Sequence, residues 1–193
     1  YAQSTSVPGV AQRTGATIYY IETMPPRDGK PPILSLMPTP GDVDIVLTAE
    51  LMEGGRSILR GLVTPDRTTL ISSTHRAYAV AEKEKPGDGT GDPAVVSDAV
   101  GVAAKRTIAF DMQALADENG SMISATMFGA LAGSGALPFQ RETYEAVIRA
   151  GGKGIEASLR AFAAAFERAV SKPSEPMKRG VAKDLPPLPD VPV

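Results

Sequence analysis

The chain has 193 residues, of which 42% are hydrophobic and 22% charged, and a formal net charge of -2. That length and mix suit one globular domain with a real core, and no basic face of the kind that sequence-independent nucleic-acid binding requires is evident. There is no cysteine, which excludes a disulfide framework and any thiolate ligand for an iron–sulfur cluster, and no run approaches the roughly 20 apolar residues of a membrane helix.

The first informative stretch is Thr5 to Tyr20, TSVPGVAQRTGATIYY. It reads as a turn bearing a polar cluster, followed at once by a strand. Pro8 and Gly9 punctuate the chain. Gln12, Arg13 and Thr14 then follow with no apolar residue between them, and Gly15 allows a close backbone approach. From Ala16 to Ile21 the residues are β-branched, aromatic and apolar, the composition of a strand. Pro25 and Pro26 end it, and Arg27 to Lys30 reads as a tight turn. Ile33 to Leu36 is expected to be a short extended piece.

Asp44 to Ala49 (DIVLTA) is an apolar run of the kind found in a buried parallel strand. Glu50 to Leu62 reads as a helix weakened in its middle by Gly54 and Gly55. Thr68 to Ser73 is the next strand, and the alternation argues for βαβ units. Lys83 to Pro93, rich in charge, glycine and proline, is expected to be a surface loop or a disordered excursion. Ser97 or Asp98 is expected to cap a short helix ending at Ala104, before a strand at Thr107 to Phe110.

The last third reads as helices: Asp111 to Glu118 closed by Asn119-Gly120, then Ser121 to Leu131, then Arg141 to Ala150. In the fourth, Ile155, Leu159, Phe162, Phe166 and Val170 recur at helical spacing and are expected to lay one apolar face on the core. Met122, Met127 and Phe128 are expected in the core. From Lys172 the chain is proline-rich and is expected to be a linker or arm, leaving one domain over residues 1–171.

The phrase STSVPGVAQRTGATIYYIE resembles the GVSQRGG-type segment of the gamma-type domain of 2-oxoacid:ferredoxin oxidoreductases. Within that family it is most similar to the indolepyruvate ferredoxin oxidoreductase beta subunits. DVDIVLTAELMEG and MFGALAGSGALPFQRETYEAVI carry the resemblance on to roughly residue 170. Thr14 stands where many relatives have glycine.

The resemblance implies a three-layer α/β/α, Rossmann-like domain with a mostly parallel sheet. Relatives open it with a strand and a GGxGGxG turn that this sequence does not contain; both are expected ahead of Tyr1, packed near Asp44–Ala49. The implied activity converts indolepyruvate or another 2-oxoacid, with coenzyme A and oxidised ferredoxin, to an acyl-CoA, carbon dioxide and reduced ferredoxin. Thiamine diphosphate and the iron–sulfur clusters are implied on a partner alpha subunit, with no cofactor on this chain alone, no catalytic residue here and a cytoplasmic location. The competing reading is a stand-alone Rossmann-like module that binds a nucleotide or a partner.

Several residues carry two readings. Gln12 and Arg13 either hold the carboxylate of a substrate or the phosphates of coenzyme A, or they pin a loop or a subunit interface. Ser6 and Thr14 fit the same cluster, although turn-stabilising hydroxyls explain them more simply. Glu50 follows an apolar strand, where ligands of open α/β sheets bind, but a carboxylate at a helix N-terminus is the favoured explanation. His75, the sole histidine, follows Ser72-Ser73-Thr74 at a strand end, where an imidazole can serve as a general base, but the sequence shows no nucleophile or metal ligands to pair with it. Asp42 and Asp44 read as solvated turn residues.

Overall fold

The protein is described by a computed structural model over residues 1–7, 17–26, 29–76 and 93–171. Its centre is a parallel sheet of β3 (Ile45–Thr48), β4 (Thr69–Ser73) and β5 (Arg106–Phe110), in the order β3–β4–β5. Val46 lies beside Leu70, and Ile71 beside Ile108. The central strand is buried from Leu70 to Ser73. A strand covered on both faces needs apolar or internally bonded side chains along its whole length.

Successive residues of a strand point to opposite faces, and the core divides accordingly. Leu70 and Val46 pack with Leu51, Val63 and Val100. Leu51 belongs to α1 (Leu51–Leu59) and Val100 to α2 (Pro93–Val102). Ile71 and Ile108 pack the other way, with Met112, Ala130, Ala165 and Ala169. These come from α3 (Met112–Glu118), α4 (Ile123–Ser134) and α6 (Ile155–Ser171). Each fully buried Leu or Ile of β4 is worth about 1.5–3 kcal/mol of hydrophobic transfer. The result is the expected three-layer α/β/α, Rossmann-like arrangement.

Below α4, Tyr144 of α5 (Arg141–Arg149) joins Ala132 and Phe162 in a third cluster. Helices α4 and α6 pack closely. A β-carbon on Gly129 would overlap the Phe162 carbonyl, and one on Gly133 would lie 2.6 Å from the Phe166 carbonyl oxygen. Small residues are therefore a requirement of this contact.

Ahead of the sheet, β1 (Ala2–Val7) and β2 (Ile18–Thr23) pair antiparallel as a separate two-stranded sheet, with Ser6 opposite Tyr19 and Ser4 opposite Ile21. The sequence reading of Thr5 to Val7 as turn is thereby corrected to strand. Ile33 to Leu36 is no strand. It is tethered to the hairpin instead: Gln3 Nε2 donates to the Ser35 carbonyl, Thr5 Oγ1 to the Leu36 carbonyl, and the Ser35 amide to Glu22 Oε2.

Two further expectations change. The helix expected to be capped at Ser97 or Asp98 starts at Pro93, since proline suits a first helical turn. Met122 is not core: it occupies the N-cap position of α4 and is 75% exposed. Met127 and Phe128 do pack against the buried clusters. Among the described residues no helix is long and apolar enough to cross a membrane.

Candidate functional site

The carboxyl ends of β3, β4 and β5 bring a polar cluster together. Leading into it, Thr48 Oγ1 donates to Ser72 Oγ at 2.8 Å, and both residues are buried. A hydroxyl pair of this kind meets its own hydrogen-bonding needs between two apolar layers.

After β3 the chain turns at Glu50 into α1. The Glu50 backbone is extended, and its carboxylate accepts the Met52 amide at 3.1 Å and the Glu53 amide at 2.9 Å. Two donors that a helix start leaves unsatisfied are thus capped. Arg76 Nη1 lies 4.0 Å from the same carboxylate, with both side chains largely buried.

After β4, residues 73–76 are stapled between neighbouring elements. The His75 carbonyl accepts the Leu51 amide at the start of α1, at 3.1 Å. The Thr74 amide donates to the Phe110 carbonyl at the end of β5. Ser73 is fully buried, and its Oγ accepts the Met112 amide at 3.0 Å. The same Oγ is 2.8 Å from His75 Nδ1. After β5, Asp111 caps α3 by accepting the Ala114 amide at 2.8 Å.

The cluster therefore holds an imidazole, a guanidinium and a carboxylate at the end of a parallel sheet, where α/β folds place ligands. Among the described residues no group of three or more His, Cys, Asp or Glu side chains is placed to hold a metal ion.

The sequence candidates distribute unevenly. Glu50 is in this cluster, as the cap of α1. Ser6 is on the exposed face of β1, in the other sheet. Gln12, Arg13, Thr14 and Gly15 lie outside the described residues. Asp42 and Asp44 are exposed, as expected, and both pair with Arg67, Asp44 Oδ1 at 2.8 Å from Nε. Burial and the carboxylates of Glu22, Asp42 and Asp44 push the Tyr20 phenol above its usual pKa.

Sequence reasoning missed Ser73 and Arg76. The run Ser72-Ser73-Thr74-His75-Arg76, polar residues directly after an apolar strand, is the signal that marks them.

The family model for pyruvate ferredoxin/flavodoxin oxidoreductase matches residues 1–168. The chain belongs to this family. No curated protein and no solved structure matches it significantly. Membership in the pyruvate ferredoxin/flavodoxin oxidoreductase family spans nearly all the described residues, from the hairpin through α6. It places the chain with the 2-oxoacid:ferredoxin oxidoreductases in general.

Proposed function

We propose that this chain is the beta-type subunit of an oxidoreductase that converts indolepyruvate, with coenzyme A and ferredoxin, to an aryl-acetyl-CoA, carbon dioxide and reduced ferredoxin. The observation that carries the reading is the family match over residues 1–168. The opening segment around Gln12 and Arg13, with its resemblance to indolepyruvate oxidoreductase beta subunits, supports the choice of substrate.

The cofactor chemistry is assigned to a partner alpha subunit. This chain has no cysteine, so thiolate-held clusters belong elsewhere in the complex. Thiamine diphosphate, which supplies the carbanion equivalent in such reactions, is assigned to the same partner. Binding groups, shape and water exclusion are the contribution of this subunit. Gln12, Arg13, Thr14 and Gly15 are assigned with Ser6 to substrate, coenzyme A or the subunit interface, and so is Glu50, from the polar cluster at the carboxyl end of the parallel sheet.

The test is an assay of the purified chain, and of the chain co-purified with its partner, using a viologen dye with coenzyme A. The expected result is no turnover by the chain alone, and turnover of indolepyruvate exceeding that of pyruvate by the complex. Turnover without a partner, or a complex inert toward every 2-oxoacid, overturns the proposal.

A further inference from the structure

The hydrogen bonds at Ser73 fix more than the backbone. A serine hydroxyl has one proton to give. Ser73 Oγ has two partners among the described residues: the Met112 amide, which can only donate to it, and His75 Nδ1. Ser73 is fully buried, out of contact with bulk water. If Nδ1 carried a proton, Oγ would accept from both nitrogens and its own O–H would be left buried without an acceptor. Buried polar hydrogens are nearly always satisfied. The O–H therefore donates to Nδ1, and neutral His75 carries its proton on Nε2.

We infer that Ser73 is a positioning residue that holds His75 as its Nε2–H tautomer, so that the imidazole offers a hydrogen-bond donor to an anionic oxygen of the ligand. The ligand part rests on the proposed function. It also rests on place, because His75 is half-buried at the carboxyl end of the central strand. The neighbouring Glu50 carboxylate is already engaged by two amides. Two sources supply such an oxygen, the carboxylate of a 2-oxoacid and a phosphate of coenzyme A.

The tautomer is read directly, because the chain has a single histidine. A long-range proton–nitrogen correlation spectrum of the untagged, labelled full chain is recorded at about pH 8.5, well above the ordinary imidazole pKa of about 6.5. The expected pattern is a protonated Nε2 and a bare Nδ1. A protonated Nδ1 in the wild type overturns the inference without any variant. Ser73→Ala is expected to mix the two tautomers, and an unchanged pattern in that variant removes the positioning role.

The ligand is read in the assembled complex by steady-state kinetics. His75→Ala is expected to raise KM for one ligand by roughly ten- to hundredfold, the range for a lost hydrogen bond to a charged group. His75→Gln, which restores an N–H, is expected to recover part of that loss. A rise confined to the 2-oxoacid identifies the carboxylate, and a rise confined to coenzyme A identifies the phosphate. An active complex in which His75→Ala changes neither KM overturns the donor role and leaves the proposed function standing. A wild-type complex with no 2-oxoacid activity overturns the proposed function, and the tautomer assignment is still decided by the spectrum.

Discussion

The Glu50 carboxylate lies 4.0 Å from Arg76 Nη1 while capping the helix that follows it. One side chain thus ties the start of α1 to the segment after β4. Replacing an N-cap carboxylate by alanine costs about 0.5–2 kcal/mol. Glu50→Ala is expected to lose that much in urea denaturation, at the upper end because a largely buried guanidinium also loses a partner. Glu50→Asp retains a good capping residue and is expected to lose less than half as much. Equal losses in the two variants would mean that the reach to Arg76, and not the cap, sets the stability.

The contact of α4 with α6 makes a sharper prediction. A β-carbon at Gly129 meets main-chain atoms of Phe162, which cannot rotate away. Overfilling of this kind typically costs about 1–3 kcal/mol, occasionally more. Gly129→Ala is expected to fall in or above that range. Gly152→Ala is the control, because nothing lies within 4 Å of the position its β-carbon would take, and its change is expected to stay within about 0.5 kcal/mol. Thermal melts of the two variants check the pair. A Gly129→Ala protein as stable as the wild type would show that α6 moves freely relative to α4.

These two cases also show what a sequence can and cannot reveal. The three parallel strands were legible because each is a short apolar run between turn residues, and α6 because its large apolar residues recur at helical spacing, although Val170 is exposed and the buried residues are Ala161, Phe162, Ala165 and Ala169. β1 was not, since AQSTSV is mostly small and polar. It is a strand through its pairing with apolar β2 and its side-chain bonds to residues 35 and 36. Met122 misled because apolar character predicts burial but not which end of a helix faces solvent. The capping role of Glu50 was legible from its place after DIVLTA. The Ser73–His75 contact was not, because its meaning depends on the Met112 amide, 39 residues further along the chain.

The charges on α5 give a dependence on pH. Glu145 accepts from Arg141 Nε at 2.9 Å and from Arg149 Nη2 at 2.8 Å. The bonds to Arg141 and then Arg149 hold its carboxyl below the ordinary pKa. A carboxylate depressed in the folded state contributes stability that is present above its unfolded pKa and lost as pH falls through the folded one. Wild type is therefore expected to exceed Glu145→Gln in stability near pH 7, with the two curves converging below about pH 4. Arg141 also reaches Glu167 on α6 at 2.8 Å, so the same titration bears on the seam between the helices. The difference at neutral pH is expected to shrink in high salt, since these groups are not deeply buried. A gap that persists unchanged to acid pH would rule out the ion pairs as its source.

Arg13 separates a binding role from a folding role. It lies outside the described residues, so its case rests on the sequence: a guanidinium between Gln12 and Thr14, ahead of β2, in the segment that carries the family resemblance. A guanidinium suits carboxylates and phosphates because its planar fork gives two parallel N–H donors. A role in binding an anion or docking the alpha subunit has no need of core contacts. Arg13→Ala is accordingly expected to shift stability by less than about 0.5 kcal/mol, the usual range for surface substitutions. Activity of the reconstituted complex is expected to fall. Arg13→Lys keeps the charge and loses the fork, so an anion-binding role predicts only partial recovery, whereas a docking role through charge alone predicts nearly full recovery. Titrating the alpha subunit against each variant tells the two apart: weakened assembly marks the interface, and normal assembly with a raised KM marks the ligand. A variant that is clearly destabilised, yet fully active once assembled, would show that Arg13 serves the fold.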